Sequence, residues 1–163
     1  MGCVPIMPVD RLVFRAGTQR LAAVQPPGVR LRQYRPSSDG AAIAALLEAC
    51  RTSTEPTLTT DGMLGELTSR PGRLVTAWLA MNGETPVGLV AAVTAGLGPE
   101  RRHSIAWLVV AERARRQGVG RVLTAAAVDA ALAAGAREVW VETRTDWTPA
   151  VAFWAAVGFR PVA

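Results

Sequence analysis

Residues 104–143 constrain the fold more than any other stretch of this chain. An apolar run at 104–110 leads into a glycine-bearing turn. Residues 117–134 then carry Val119, Val122, Leu123, Ala126 and Ala130 at helical spacing, and a second strand-like run follows at 137–143. Gly135 stands where a helix needs a left-handed residue to stop. Two strands joined through a helix form a crossover unit, so part of the sheet is expected to be parallel.

The remaining elements arrange themselves around that unit. Residues 29–34 alternate with period two and read as a half-buried strand. Ser37, Ser38 and Asp39 offer N-caps for a helix that puts Ile43, Leu46 and Leu47 on one face and ends near Cys50. A polar stretch at 51–60 precedes a short helix at 61–69, stopped by Pro71 and Gly72. Strands at 74–81 and 86–94 are joined through Asn82-Gly83, a strong hairpin signal. Pro149 opens a last helix, which ends before Gly158-Phe159. The expectation is one α/β domain at 29–163, preceded by an extension at 1–28 whose apolar runs, 11–14 and 21–24, can form a hairpin.

Composition narrows the function classes. The chain has 18 basic and 13 acidic residues, and every basic one is arginine. Arginine without lysine, beside abundant alanine and proline, follows a GC-rich coding sequence, so the net charge of +5 reads first as a solvated surface. A nucleic-acid reader would spread arginines along one groove with aromatics between them; here they gather at one helix start and one strand, which argues against that partner. Cys3 and Cys50 make no disulfide framework, and the single His103 has no metal-ligand cluster around it, so no metal is expected. The first residues do not read as a signal peptide, and no stretch reaches the roughly 18 apolar residues of a spanning helix. A cytoplasmic protein with no membrane partner is the expectation.

The turn at Arg115, Arg116, Gln117, Gly118, Val119, Gly120 and Arg121 carries the chemistry. Glycines let backbone approach an anion closely, and successive N–H groups at a helix N-terminus cradle phosphate. Arg113, Arg115, Arg116 and Arg121 crowd the same helix end, where cations oppose the dipole unless a polyanion binds. On spacing alone the turn is either such a cradle or a solvated bend. No Gly-Lys-Ser/Thr follows, so it is not a P-loop.

Arg115-x-x-Gly118-x-Gly120 resembles motif A of the GNAT acetyltransferases, and Leu108, Val109 and Val110 resemble the strand that leads into it. Val141-Glu142-Thr143 is similar to that family's fifth strand, and residues 150–159, ending in Gly158-Phe159, resemble its motif B. The resemblance covers roughly residues 29–161 and implies a mixed sheet, centrally splayed and flanked by helices. It further implies that acetyl-CoA lies in the splay, its pyrophosphate on amides from Arg115 to Arg121 and its pantetheine along Leu108 to Val110. Transfer to a primary amine would then be direct, in a ternary complex, with no enzyme nucleophile.

Two departures from the pattern stand out. Trp154 occupies the place where the family often has a tyrosine that protonates the leaving thiolate, and Trp147 replaces the asparagine of a cofactor contact. An indole donates one hydrogen bond and supplies no proton, so Trp154 is either a catalytic residue that hydrogen-bonds the leaving thiolate or a core aromatic, and it can line the acyl pocket in both cases. A catalytically degenerate acyl-CoA-binding or regulatory module is therefore the alternative reading. Candidate bases are Glu142, on the strand lining the splay, then Asp146, Glu55 and His103; Tyr34, the only tyrosine, lies too far upstream to substitute. The second departure is a truncated C-terminal strand region, with Arg160, Pro161, Val162 and Ala163 after Gly158-Phe159. An open edge there is a hazard, so the extension around 11–24, or a partner subunit in a homodimer, is expected to cover it.

Overall fold

The computed structural model describes residues 9–15, 21–50, 74–95, 101–145 and 147–162. Its frame is a sheet of β1 (Val9–Arg15), β2 (Val29–Gln33), β3 (Leu74–Asn82), β4 (Thr85–Ala95), β5 (Arg102–Val110), β6 (Glu138–Arg144) and β7 (Arg160–Pro161). The spatial order is β2-β3-β4-β5-β6-β1-β7. Every neighbouring pair is antiparallel except β5 with β6, which the crossover through α2 (Val119–Ala133) makes parallel. The other described α-helices are α1 (Gly40–Cys50) and α3 (Thr148–Ala156). The expected helix at 61–69, Glu55 and Asp146 lie outside the described residues.

Strand β4 is buried continuously from Val87 to Thr94, without alternation, so helices cover both faces of the sheet centre. Against one face α2 packs closely: a Cβ on Gly88 would meet Leu123 Cδ1 at 2.7 Å and Val119 Cγ1 at 3.2 Å. The β3–β4 turn places Asn82 opposite Thr85, so its two loop residues are Gly83, at φ 60°, and Glu84. Helix α2 stops as the sequence predicts, with Gly135 at φ 95° and the Ala136 N–H donating to the Ala131 carbonyl at 3.0 Å. None of the described helices is long and apolar enough to cross a membrane.

Helix α1 is tied to β2 by one ion pair. Arg32 donates from both terminal nitrogens to the two carboxylate oxygens of Asp39 at 2.7 Å, and the Arg35 N–H adds a third bond at 2.6 Å. Asp39 is buried while Arg32 is partly exposed. The bonded guanidinium holds the Asp39 carboxyl below its usual range, against the opposing effect of burial. Because the folded value is depressed, this contribution is complete above about pH 4 and is lost as pH falls through the folded value. Asp39→Asn is therefore expected to cost roughly 2 kcal/mol at neutral pH. Thermal midpoints of the two proteins, measured from neutral pH to below pH 3, should converge on acidification.

The first strand of the chain goes elsewhere than a local hairpin. β1 pairs with β6 along seven residues, from Val9 opposite Arg144 to Arg15 opposite Glu138. On its other side Leu12 and Val13 pair with Pro161 and Arg160 of β7. Residues 21–26, the second arm of the expected hairpin, are in no strand. The reason is burial: Leu12 is 2% exposed between β6 and β7, which a two-stranded surface ribbon could not provide. The two-residue β7 is thus an edge laid on β1, and β6 has a partner on both sides.

Candidate functional site

The parallel pairing of β5 with β6 covers only His103, Ser104 and Ile105 against Val139, Trp140 and Val141. Beyond it β5 follows β4 as far as Val110, whereas β6 follows β1 as far as Arg144. The two strands part, leaving a notch walled by residues 106–110 and 142–144. The parting point coincides with a bulge. Ala91 pairs with Trp107 and the next residue, Ala92, with Ile105, so Ala106 is an extra residue in β5.

Strand alternation sets which backbone groups face the notch. The Ala111 N–H donates to the Val87 carbonyl of β4 at 2.8 Å, so the polar groups of Val110, one residue earlier, point the other way. Leu108 shares the direction of Val110. The Val110 carbonyl accepts Arg115 Nε at 3.1 Å, which ties the arginine turn to the notch wall.

The turn itself has the conformation of an anion cradle. After a 3₁₀ turn at Glu112–Ala114, Arg115 is extended (φ −69°, ψ 155°). Arg116 follows at φ 60°, the one described non-glycine residue with positive φ, and Gly118 at φ 89° is the N-cap of α2. Left-handed backbone at a bulky arginine costs on the order of 1 kcal/mol, a strain that clusters at functional sites. Gly118 has no side chain with which to cap the helix, and the first α-helical bond runs from the Val122 N–H to the Gly118 carbonyl at 3.1 Å. The N–H groups of Val119, Gly120 and Arg121 therefore have no carbonyl within the helix, and they sit where its dipole is positive. Arg113, Arg115, Arg116, Gln117 and Arg121 surround them and are exposed. A pyrophosphate fits this donor set: it takes the uncapped N–H groups and offsets the crowded positive charge.

Helix α3 closes the notch on the α2 side. A Cβ on Gly120 would lie 3.3 Å from Phe153 Cε2 and 3.7 Å from Val110 Cγ2, so glycine is what admits this packing. Trp154 is buried, its ring edge-on to Phe153 and to Phe159 with centroids 5.1 Å apart in each case. Trp147, the N-cap of α3, is 45% exposed.

Glu142 lies on the β6 wall just past the parting point, exposed, in register with Arg11 of β1. His103 belongs to the paired end of β5, seven residues and some 23 Å of strand from Val110. Burial, aided by nearby Arg101, lowers its imidazole pKa. Tyr34 is buried beyond β3 and β4, and its hydroxyl has no hydrogen-bond partner among the described residues. Burial raises the Cys50 thiol above its usual value, against the opposing pull of neighbouring Arg115, which disfavours a thiolate nucleophile. Among the described residues no His, Cys, Asp and Glu cluster could hold a metal ion.

Sequence reasoning missed two features of the site. The bulge at Ala106 carries no glycine or proline to announce it. The other is the face that Glu142 shares with Trp140, opposite the buried Val139, Val141 and Thr143. There Arg102 Cζ stacks 4.5 Å from the centroid of the Trp140 ring. Tryptophans at 107 and 140 on adjoining strands were the available signal.

The sequence matches the model of the acetyltransferase (GNAT) family over residues 41–159, and the chain belongs to that family. A comparison with curated proteins finds no match. Among solved structures, a GCN5-related N-acetyltransferase from Sphaerobacter thermophilus superposes with a TM-score of 0.73 at 19% identity, covering 94% of this chain and 48% of that one. A tandem GNAT protein of the clavulanic acid biosynthesis pathway gives 0.73 and 19%, covering 96% and 51%. This chain therefore spans about half the length of these two proteins. AAC(6')-Iy, in complex with the bisubstrate analogue CoA-S-monomethyl-acetylneamine, gives 0.66 at 21%, covering 81% and 90%. At these identities the likeness is one of fold.

Proposed function

We propose that this protein is a cytoplasmic N-acetyltransferase that moves an acetyl group from acetyl-CoA to a primary amine by direct attack in a ternary complex. The observation that carries the reading is the uncapped, arginine-ringed start of α2 at the open end of a notch between parallel strands. The fold neighbour captured with a CoA bisubstrate analogue supports it.

In this reading the N–H groups of Val119, Gly120 and Arg121 hold the pyrophosphate, with Arg115, Arg116 and Gln117 around them. The backbone groups of Leu108 and Val110 orient the pantetheine, those of Val109 between them turn to β4, and Trp147 lies at the rim. Acetyl-CoA supplies the thioester carbonyl and a thiolate leaving group. A fixed N–H on the bulged wall of β5 is suited to developing charge on that carbonyl. The amine must be neutral to attack, and Glu142 is the described carboxylate on the opposite wall that could take its proton. Trp154, packed between two phenylalanines, supports the pocket and gives no proton, so the thiolate leaves unassisted.

The test is calorimetric titration with acetyl-CoA and CoA, followed by turnover against a panel of amines. Glu142→Gln is expected to lower kcat by about 10²-fold, with the affinity for CoA unchanged. An unchanged kcat would assign the proton to water. The indole at position 154 favours a second reading, a cofactor-binding module without turnover. Micromolar CoA binding with no acetylation across the panel would select it.

A further inference from the structure

Strand β1 is sixth across the sheet and β2 is first, yet they follow one another in the chain. Residues 21–28 of the connection between them pass the turn that starts α2. A Cβ on Gly118 would lie 3.8 Å from both Pro26 Cγ and the Val24 carbonyl oxygen. This strap is held in place. Pro26 is buried, and Leu21 packs against the core. The Val29 N–H donates to the Pro26 carbonyl at 3.2 Å, Gln25 Nε2 donates to the Val29 carbonyl at 2.5 Å, and Gly28 turns the chain into β2 at φ 75°.

We propose that the strap is a positioning element for the phosphate end of the cofactor, an inference that rests on the acetyl-CoA reading above. The cradle requires Arg116 and Gly118 to stay left-handed at once. Glycine alone does not enforce that, because it visits both signs of φ about equally. The strap sets a rigid proline ring and a backbone carbonyl one side-chain atom away from Gly118, and this bounds how far the turn can shift toward them. Restricting the unbound turn lowers the ordering cost of binding. The strap precedes residues 41–159, the part matched by the family model, so the support comes from outside it.

The argument predicts which part of the ligand is affected. The strap's described approach is to the turn at Gly118, so its effect is expected on phosphate groups and not on the thioester arm. Two variants test this: Pro26→Ala removes the ring, and Val24→Gly loosens the strap at a side chain that is 87% exposed and contributes no packing. Both should raise the Kd for CoA about three- to tenfold, the scale of ordering a few residues of a turn. The Kd for S-acetylpantetheine, which carries no phosphate, should stay at the wild-type value in an NMR titration. CoA affinity unchanged in both variants overturns the proposal, as does parallel weakening of CoA and S-acetylpantetheine, which would mean general loosening of the fold. Failure of the wild type to bind CoA overturns the acetyl-CoA reading and this inference with it.

Discussion

Gly118→Asp is expected to abolish measurable binding of acetyl-CoA and CoA at a cost to stability on the order of 1 kcal/mol. The backbone there is left-handed at φ 89°, which aspartate tolerates better than most residues. Space is not limiting, since the nearest heavy atoms to a new Cβ are at 3.8 Å, ordinary contact. Aspartate also sets a carboxylate beside the amides that glycine leaves open, where it complements both the dipole and the surrounding arginines. The substitution thus fills the cradle with its own anion. We expect at least a 100-fold loss of affinity by calorimetry together with a Tm lowered by only a few degrees, and a collapse of Tm would point to plain damage. Gly120→Ala should give an intermediate loss, because its Cβ presses on Phe153 at 3.3 Å and shifts α3 against α2. Wild-type affinity in Gly118→Asp would remove the phosphate from this turn.

Leu12→Ala is expected to destabilise the protein by about 2–4 kcal/mol, the usual cost of emptying a fully buried leucine site. Leu12 is 2% exposed and sits between Val141 of β6 and Pro161 of β7. The effect should be local as well as global. β6 shares only three register positions with β5, so its hold on the sheet comes mainly from β1. Backbone amides of β6 should exchange faster in the variant than those of β3 and β4, and CoA should bind more weakly in proportion. A denaturation midpoint equal to wild type would show that β1 contributes little to the fold.

How much of this was legible in the sequence depends on whether the determining interactions are local. Period-two patterning located β2, helical spacing α1 and α2, strand-like runs beside turn signals β3 to β6, and Pro149 the start of α3. The Gly118 turn was readable because its chemistry is carried by backbone, and only glycine spacing is needed to suspect it. The destination of β1 was not readable. Its apolar run says that it pairs with something, and a hairpin with residues 21–24 was the nearest option. The winning partners lie at the other end of the chain, where no local signal points. The bulge at Ala106 is similar: it follows from how β5 reconciles β4 on one side with a departing β6 on the other, a tertiary constraint written in no single residue. Glu142 was nameable as a strand carboxylate beside the notch, but its register opposite Arg11 came only with the placement of β1.

The placement of β1 has a consequence for how the molecule comes into being. Synthesis releases residues 9–15 before β2 to β5, and their partners in β6 and β7 only after those strands. While β3 and β4 close their short hairpin, Leu12 and Val13 have no ladder to join. The nascent chain must therefore keep an apolar strand waiting, in need of shelter from aggregation, until β6 and β7 have been made. Formation of the notch is tied to that event, so an interrupted polypeptide lacking β6 would present most of the sheet without the notch.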